Sequence, residues 1–328
     1  MKPNAAYLRH DPTGPMVPLV LDSPHSGREY PDDFGHAQTL EALRQAEDRF
    51  VDELYASATT HGATLITARF PRAYIDANRS MLDIDASLLD APWPGPAVAG
   101  RKTELGIGLV WRILDTGAPI YARKLSVDEV MRRITQYHQP YQRAVKEAID
   151  HAHAHFGAAW HLNCHSMPSV SSRISEEGPG KLRPDFVLGD RDGTTCDAEF
   201  TDLVARTLRS LGYEVKLNDP YKGVELVRAF SDPAAQRHSL QIEVNRRLYL
   251  DEKTLEKSGG FDLLRANLDR LVAVVARYAA ERGSHFCTHD HLHCGHDHAH
   301  GHGHDHDHGH DHGHGERREP AHRHPHKH

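Results

Sequence analysis

Two hydrophobic runs stop abruptly at small polar residues followed by a histidine. Val17-Pro18-Leu19-Val20-Leu21 gives way to Asp22-Ser23-Pro24-His25-Ser26-Gly27, and Trp160-His161-Leu162 gives way to Asn163-Cys164-His165-Ser166. Each run reads as a buried strand ending where polar chemistry begins. In an open α/β sheet, ligands sit beyond the carboxyl ends of the strands, so both histidines are expected at one pocket.

The same patterning orders the rest of the chain. Apolar positions at Leu40, Leu43, Ala46, Phe50, Val51, Leu54 and Tyr55 have helical spacing over about 38–61, with Gly62 as its C-terminal stop and a strand at Ala63 to Ala68 after it. This βαβ order favours a parallel pairing. Arg72 to Arg79 reads as a short strand with a polar tip. From Ser80 to Glu104 the prolines and glycines predict an irregular connection, either a loop over the site or a disordered segment. Ser126 with Glu129 three residues later is a capping-box pattern that opens a helix running towards His155, kinked or divided at Pro140. Strands follow at about 158–163, 185–189, 213–217 and 239–244, with helices over about 197–211 and 261–282.

Beyond Ser284 the pattern vanishes: 18 of the 29 histidines lie in the last 44 residues, mostly alternating with Asp or Gly. We therefore expect two parts, a globular domain over 1–284 and a His-rich, metal-binding tail over 285–328. The tail has almost no apolar residues to offset an ordering entropy of about 1–2 kcal/mol per residue, so it is expected to be disordered without metal. Its imidazole and carboxylate donors suit many weak, exchangeable sites for Zn, Ni, Co or Cu. Three readings stand for it: a buffer or donor of zinc for the folded domain, a metal store unrelated to it, or a neutral low-complexity expansion.

The net charge of −7 on 328 residues, without a basic block in the body, argues against a nucleic-acid surface. The sequence shows neither a signal-peptide core nor an apolar run of about 18 residues that could span a bilayer. Four cysteines without a regular framework point to a reducing cytoplasm.

Two strand-end histidines suggest a metal site or an acid/base pair; each alone could be a hydrogen-bonded structural residue. A catalytic zinc takes three ligands from His, Asp and Glu and keeps one position open. Glu47 and Asp48 interrupt the apolar pattern after His25 and are candidates for the third ligand, or else are solvated carboxylates on a helix face. Glu243, among apolar neighbours, suits a general base with a raised pKa, or an ion pair with Arg246 or Arg247. Arg79, with Asn78, could clamp a substrate carboxylate, or Arg79 could pair with Asp76 or Asp83. Cys164 cannot form a nucleophilic pair with His165, because neighbours along a strand point to opposite faces.

Taken together, SPHSG around His25, ED before RFVDELY, YIDANR at 74–79, NCHSMPS around His165 and LQIEVNRRLYLD around Glu243 resemble the N-formylglutamate amidohydrolase family. DFVLGDRDGTTC at 185–196 and PYKG at 220–223 extend the resemblance, which covers about residues 15–275. It implies a three-layer α/β/α, phosphorylase/hydrolase-like fold with a mixed, mostly parallel sheet, distantly similar to zinc carboxypeptidases. It also implies hydrolysis of an N-acyl amino acid by metal-activated water, releasing formate from N-formyl-L-glutamate, as in histidine degradation. By the same resemblance His25, Asp48 and His165 are metal ligands, most simply for Zn2+, with Glu47 as the alternative to Asp48. Glu243 is then the acid/base, and Asn78 and Arg79 bind a small-molecule carboxylate substrate. Residues 83–96 do not match the family's histidine-pathway enzymes and are expected to line the acyl or side-chain pocket. Outside this reading stand another N-acyl amino acid hydrolase with the same site, and a metal buffer or chaperone built on a hydrolase scaffold.

Overall fold

The computed structural model describes residues 5–290. Seven strands form one sheet: β1 Tyr7–His10, β2 Leu19–Ser23, β3 Thr64–Ala68, β4 Ala159–Met167, β5 Phe186–Gly189, β6 Val215–Leu217 and β7 Arg237–Asn245. They lie in the order β1-β3-β2-β4-β7-β5-β6. The central strands β3, β2, β4 and β7 are mutually parallel, while β1 joins β3 and β5 joins β7 antiparallel. The expected mixed, mostly parallel sheet is thus present. All nine residues of β4 are buried, as a strand covered on both faces requires.

Helices cover both faces. They are α1 Leu40–Arg44, α2 Val51–Leu54, α3 Arg101–Glu104, α4 Val127–Arg133, α5 Gln139–Phe156, α6 Ala198–Ser210, α7 Glu225–Phe230 and α8 Phe261–Asp290. Leu19, Leu21, Trp160, Leu162, Leu240 and Ile242 enter one core with side chains of α2, α6 and α8. Val20, Ile66 and Ala159 enter the other, with Tyr141, Val145 and Ile149 of α5. Each fully buried leucine contributes roughly 1.5–3 kcal/mol.

Alternation along the central strands gives the second face a polar character. Between the apolar positions of β4 stand His161, Asn163 and His165; between those of β7 stand Ser239, Gln241 and Glu243. All six are buried. Cys164 faces the opposite core, as strand geometry requires, and burial pushes its thiol pKa up. Cys164 and Cys196 are both free.

The structure corrects four expectations. The helix over 38–61 is broken into α1, α2 and a 3-10 turn at Ala56–His61, with residues 45–50 between the first two. Phe50 turns the chain there with φ 64°, a left-handed conformation costing about 1–2 kcal/mol. Its ring is buried, packs against Phe261 and lies beneath Arg28 and Arg49, which offsets that cost. Arg72 to Arg79 is a series of turns rather than a strand, because its backbone bonds locally and to Leu109 instead of to a ladder. β4 continues through His165 to Met167, held in register with β7 as far as Asn245, so the histidine lies within the strand. Finally, α8 runs on to Asp290, past the expected helix end at about 282.

Other expectations are met. The capping box at Ser126 and Glu129 is formed. Pro140 has no N–H for the carbonyl four residues back, and the helix widens to a π-helical turn at Ile134–His138 before α5. Among the described residues no helix is long and apolar enough to cross a membrane. The histidine-rich stretch lies outside the described residues beyond Asp290.

Candidate active site

His25 sits on the turn that leaves β2. The close approach of Gly27 to the end of β3 fixes this turn, since a Cβ on Gly27 would stand 2.2 Å from the Phe70 carbonyl oxygen. The break after α1 brings in Asp48, whose backbone N–H donates to the His25 carbonyl at 2.9 Å. Two segments distant in sequence are therefore latched together by their main chains.

Side chains converge across that latch. His25 Nδ1 lies 3.3 Å from Asp48 Oδ2, His165 Nδ1 lies 3.2 Å from the same oxygen, and the two Nδ1 atoms are 3.0 Å apart. All three residues are at most 2 % exposed.

The surroundings orient both rings. His25 Nε2 is 2.7 Å from Asp76 Oδ1, a carboxylate oxygen that can only accept, so Nε2 carries a proton and Nδ1 faces Asp48 and His165. Asn163 donates its amide to Asp22 Oδ1 at 2.7 Å, which turns its own oxygen towards His165 Nε2, also at 2.7 Å. His165 Nε2 thus lies between the Asn163 oxygen and the Asn78 amide nitrogen, and its Nδ1 faces His25 and Asp48. The three facing atoms form a triangle of 3.0–3.3 Å edges. Tetrahedral ligands at about 2.0–2.1 Å from zinc stand about 3.3 Å apart, so the donor set and its spacing fit a small divalent cation. Among the described residues this is the group of His, Cys, Asp and Glu side chains arranged to hold a metal ion.

Charge around the triangle is balanced by buried pairs. Burial raises the pKa of Asp48, but bonds from His165 and His25 and the charge of Arg72 outweigh it and hold the carboxyl well below its ordinary range. Arg246 Nη2 donates to Asp48 Oδ1 at 3.0 Å. Asp76 is likewise held well below its ordinary range, burial being outweighed by His25, Arg72 and Arg79. Glu47, the alternative third ligand, points elsewhere: its Oε1 accepts from Tyr30 at 2.6 Å.

Glu243 lies beside His165 on the neighbouring strand, in direct register and on the same face. Burial first, and then the charge of Asp48, raise its pKa against the opposing pull of His165. Gln241 Nε2 donates to its Oε1 at 3.0 Å, and the described residues show no ion pair between it and Arg246 or Arg247. A buried carboxyl so placed suits proton transfer.

Asn78 and Arg79 also reach the site. Asn78 Nδ2 approaches His165 Nε2 at 3.0 Å and donates to Asn163 Oδ1 at 3.2 Å, while Asn78 Oδ1 accepts the Leu226 N–H at the start of α7. Arg79 is anchored through Nε to the Ile107 carbonyl and through Nη1 to the Asn78 carbonyl; its Nη2 has Asp76 only at 4.0 Å. His25, Asn78, Arg79, His165 and Glu243 all line one cavity of about 330 Å³. Residues 83–96 do not line it. Within the irregular connection and just after it, Lys102, Ile107, Trp111 and Leu114 do so instead, because Asp83 folds its own loop back by accepting from Gly100 N and Thr103 Oγ1.

Sequence reasoning missed the residues behind the site. Asp76 had been weighed only as a partner for Arg79, and the structure places it on His25. Asp22, Tyr141, His161 and Asn163 form a buried network under His165, with Asp22 accepting from Tyr141 at 2.7 Å and from His161 at 2.9 Å. The available signal was parity: His161, Asn163 and His165 recur every second residue along a strand that is otherwise apolar.

Comparison with known proteins agrees with this architecture. Residues 17–250 match the sequence model of the family FGase, N-formylglutamate amidohydrolase. The chain is 30% identical over 240 residues to an N-formylglutamate deformylase of Pseudomonas putida, covering 72% of this chain and 83% of that one. A crystal structure of N-formylglutamate amidohydrolase from Ralstonia eutropha JMP134 is similar with a TM-score of 0.81 and 48% identity, over 85% of this chain and 99% of that one. A gene product of Agrobacterium tumefaciens, 17% identical with a TM-score of 0.60 over 84% of this chain and 96% of that one, shares the fold.

Proposed function

The chain belongs to the N-formylglutamate amidohydrolase family, and from this membership we propose that it releases formate from N-formyl-L-glutamate or a closely related N-acyl amino acid with the help of a divalent metal, zinc first. The observation that carries the reading is the buried triangle of ligand-type atoms on His25, Asp48 and His165. A cation held by these three supplies Lewis acidity, polarising an amide carbonyl and lowering the pKa of water to about 7.

The protein's own groups do the rest. Glu243 takes the proton of the attacking water and returns it to the leaving amine nitrogen, a task for which a raised carboxyl pKa is suited. Arg79, with Asn78 beside it, holds a substrate carboxylate so that the scissile amide lies between the triangle and Glu243. Asp76 and Asn163 hold the two histidines with each Nδ1 turned into the triangle. The histidine-rich stretch after Asp290 offers donors for exchangeable transition-metal ions, a second and separate kind of binding.

The test is to purify the full chain, measure formate release from N-formyl amino acids and acetate release from N-acetyl-L-glutamate, then strip the metal with a chelator. We expect turnover of an N-formyl amino acid that disappears on stripping and returns with Zn2+. Turnover unaffected by complete metal removal, or no turnover of any panel member, would contradict the proposal.

A further inference from the structure

The cavity beside the triangle is lined by six cationic side chains, and most are already committed. Arg72 bonds Asp76 at 3.0 Å and approaches Asp48 at 3.7 Å; Arg246 bonds Asp48. Arg183 is held by Glu177, by Ser175 and by the Pro168 carbonyl, with its guanidinium over the Tyr221 ring. Lys222 stands in solvent with Asp192. Arg79 and Lys102 remain.

These two are placed side by side by one residue. The Ile107 carbonyl accepts from Arg79 Nε at 3.3 Å, and the Ile107 N–H donates to the Lys102 carbonyl at 2.9 Å. The short helix α3 that carries Lys102 is fastened by Asp83, which accepts from Gly100 N at 3.1 Å and from Thr103 Oγ1. Burial and the nearby Arg79 charge both hold the Lys102 pKa below its ordinary value. Its ion pair is with Glu176 Oε1 at 3.0 Å, and the Glu176 side chain is 51% exposed against 23% for Lys102. Such an exposed partner contributes little and leaves two of the three ammonium donors for another anion. Two cations held together in a shielded cavity are costly unless a ligand supplies negative charge.

We propose that Lys102 is a specificity-determining residue that takes a second substrate carboxylate while Arg79 takes the first, so the site selects N-acyl amino acids with acidic side chains over neutral ones. This rests on the amidohydrolase reading above. It adds to that reading the residue that reads the side chain, on a segment outside the motifs by which the family resemblance was recognised.

The experiment compares kcat/KM for N-formyl-L-glutamate and N-formyl-L-glutamine, nearly equal in shape and different in charge, in the full-length wild type, Lys102→Met and Lys102→Arg. A charge-assisted hydrogen bond lost from the bound state predicts a fall of about 10–100-fold for N-formyl-L-glutamate in Lys102→Met, mainly through KM. The glutamine compound should change by less than about threefold, and Lys102→Arg should keep most of the discrimination. As a readout independent of turnover, L-glutamate should raise the melting temperature of the wild type more than that of Lys102→Met. If Lys102→Met still splits N-formyl-L-glutamine but keeps wild-type preference for the glutamate compound, or loses both activities equally, the role of Lys102 is refuted while the amidohydrolase reading stands. If the wild type splits neither these two compounds nor any other member of the N-acyl panel, that reading fails and the inference with it.

Discussion

Replacing Glu243 by Gln keeps the shape of a buried side chain and removes its ability to carry a proton. In the proposed mechanism this group serves twice, first accepting from water and then donating to the leaving nitrogen. General acid/base catalysis is worth about 10²–10⁴-fold, so kcat should fall by that factor, equivalent to about 2.7–5.4 kcal/mol of barrier. Zinc content should be unchanged, since Glu243 is no member of the triangle.

The same substitution has a second consequence of opposite sign. Burial and Asp48 raise the folded-state pKa of Glu243 above its ordinary 4.5. Between 4.5 and the raised value the folded chain binds the proton more tightly than the unfolded chain, so stability falls as pH rises through that window and stays lowered above it. Each tenfold difference in proton affinity is worth about 1.4 kcal/mol. Glutamine has no such dependence. Metal-free Glu243→Gln should therefore melt above metal-free wild type at pH 7–8, with the gap closing towards pH 4.5. Formate release and calorimetry on chelated protein measure the two effects. A kcat near that of the wild type, or a melting difference that ignores pH, would refute the reasoning.

Three further outcomes follow from the geometry. Asp76→Asn weakens the group that orients His25 and should lower metal affinity about 10–100-fold, read by competition with a chromophoric chelator; unchanged affinity would contradict the role given to Asp76. Arg79→Ala should mainly raise KM for substrates bearing a carboxylate, and an equal loss on a neutral formamide would remove Arg79 from substrate binding. Ser126→Ala breaks the capping box at the start of α4, costs about 1 kcal/mol and should lower the melting temperature by about 2 °C, with kcat/KM unaltered.

How far the site was legible depended on where its signals lay. Polar residues that end a hydrophobic run are visible in a single line of text, and that exposed His25 and His165. Asp48 could be paired with Glu47 but not separated from it, because the two differ only in which way the chain turns between α1 and α2. That turn rests on Phe50 in a left-handed conformation, which no pattern of apolar spacing announces. Spacing across the break suggested one continuous helix, since apolar residues on either side of it face a core in both cases. Arg72 to Arg79 looked like a strand for a related reason: its buried character is real, but its backbone partners are turns and Leu109. The residues that orient the histidines were hidden by distance, as with Asp76, which is 51 residues from His25. Asn163 was in plain view and was read as the end of a strand, although its parity with His161 and His165 placed it on their face.

The central claim is that three side chains share one cation, and anomalous diffraction at the zinc edge from crystals grown with Zn2+ tests it most directly. The account predicts a strong peak about 2.0–2.2 Å from His25 Nδ1, His165 Nδ1 and Asp48 Oδ2, with Glu47 remote from it. A zinc-replete crystal with no peak inside that triangle would contradict it.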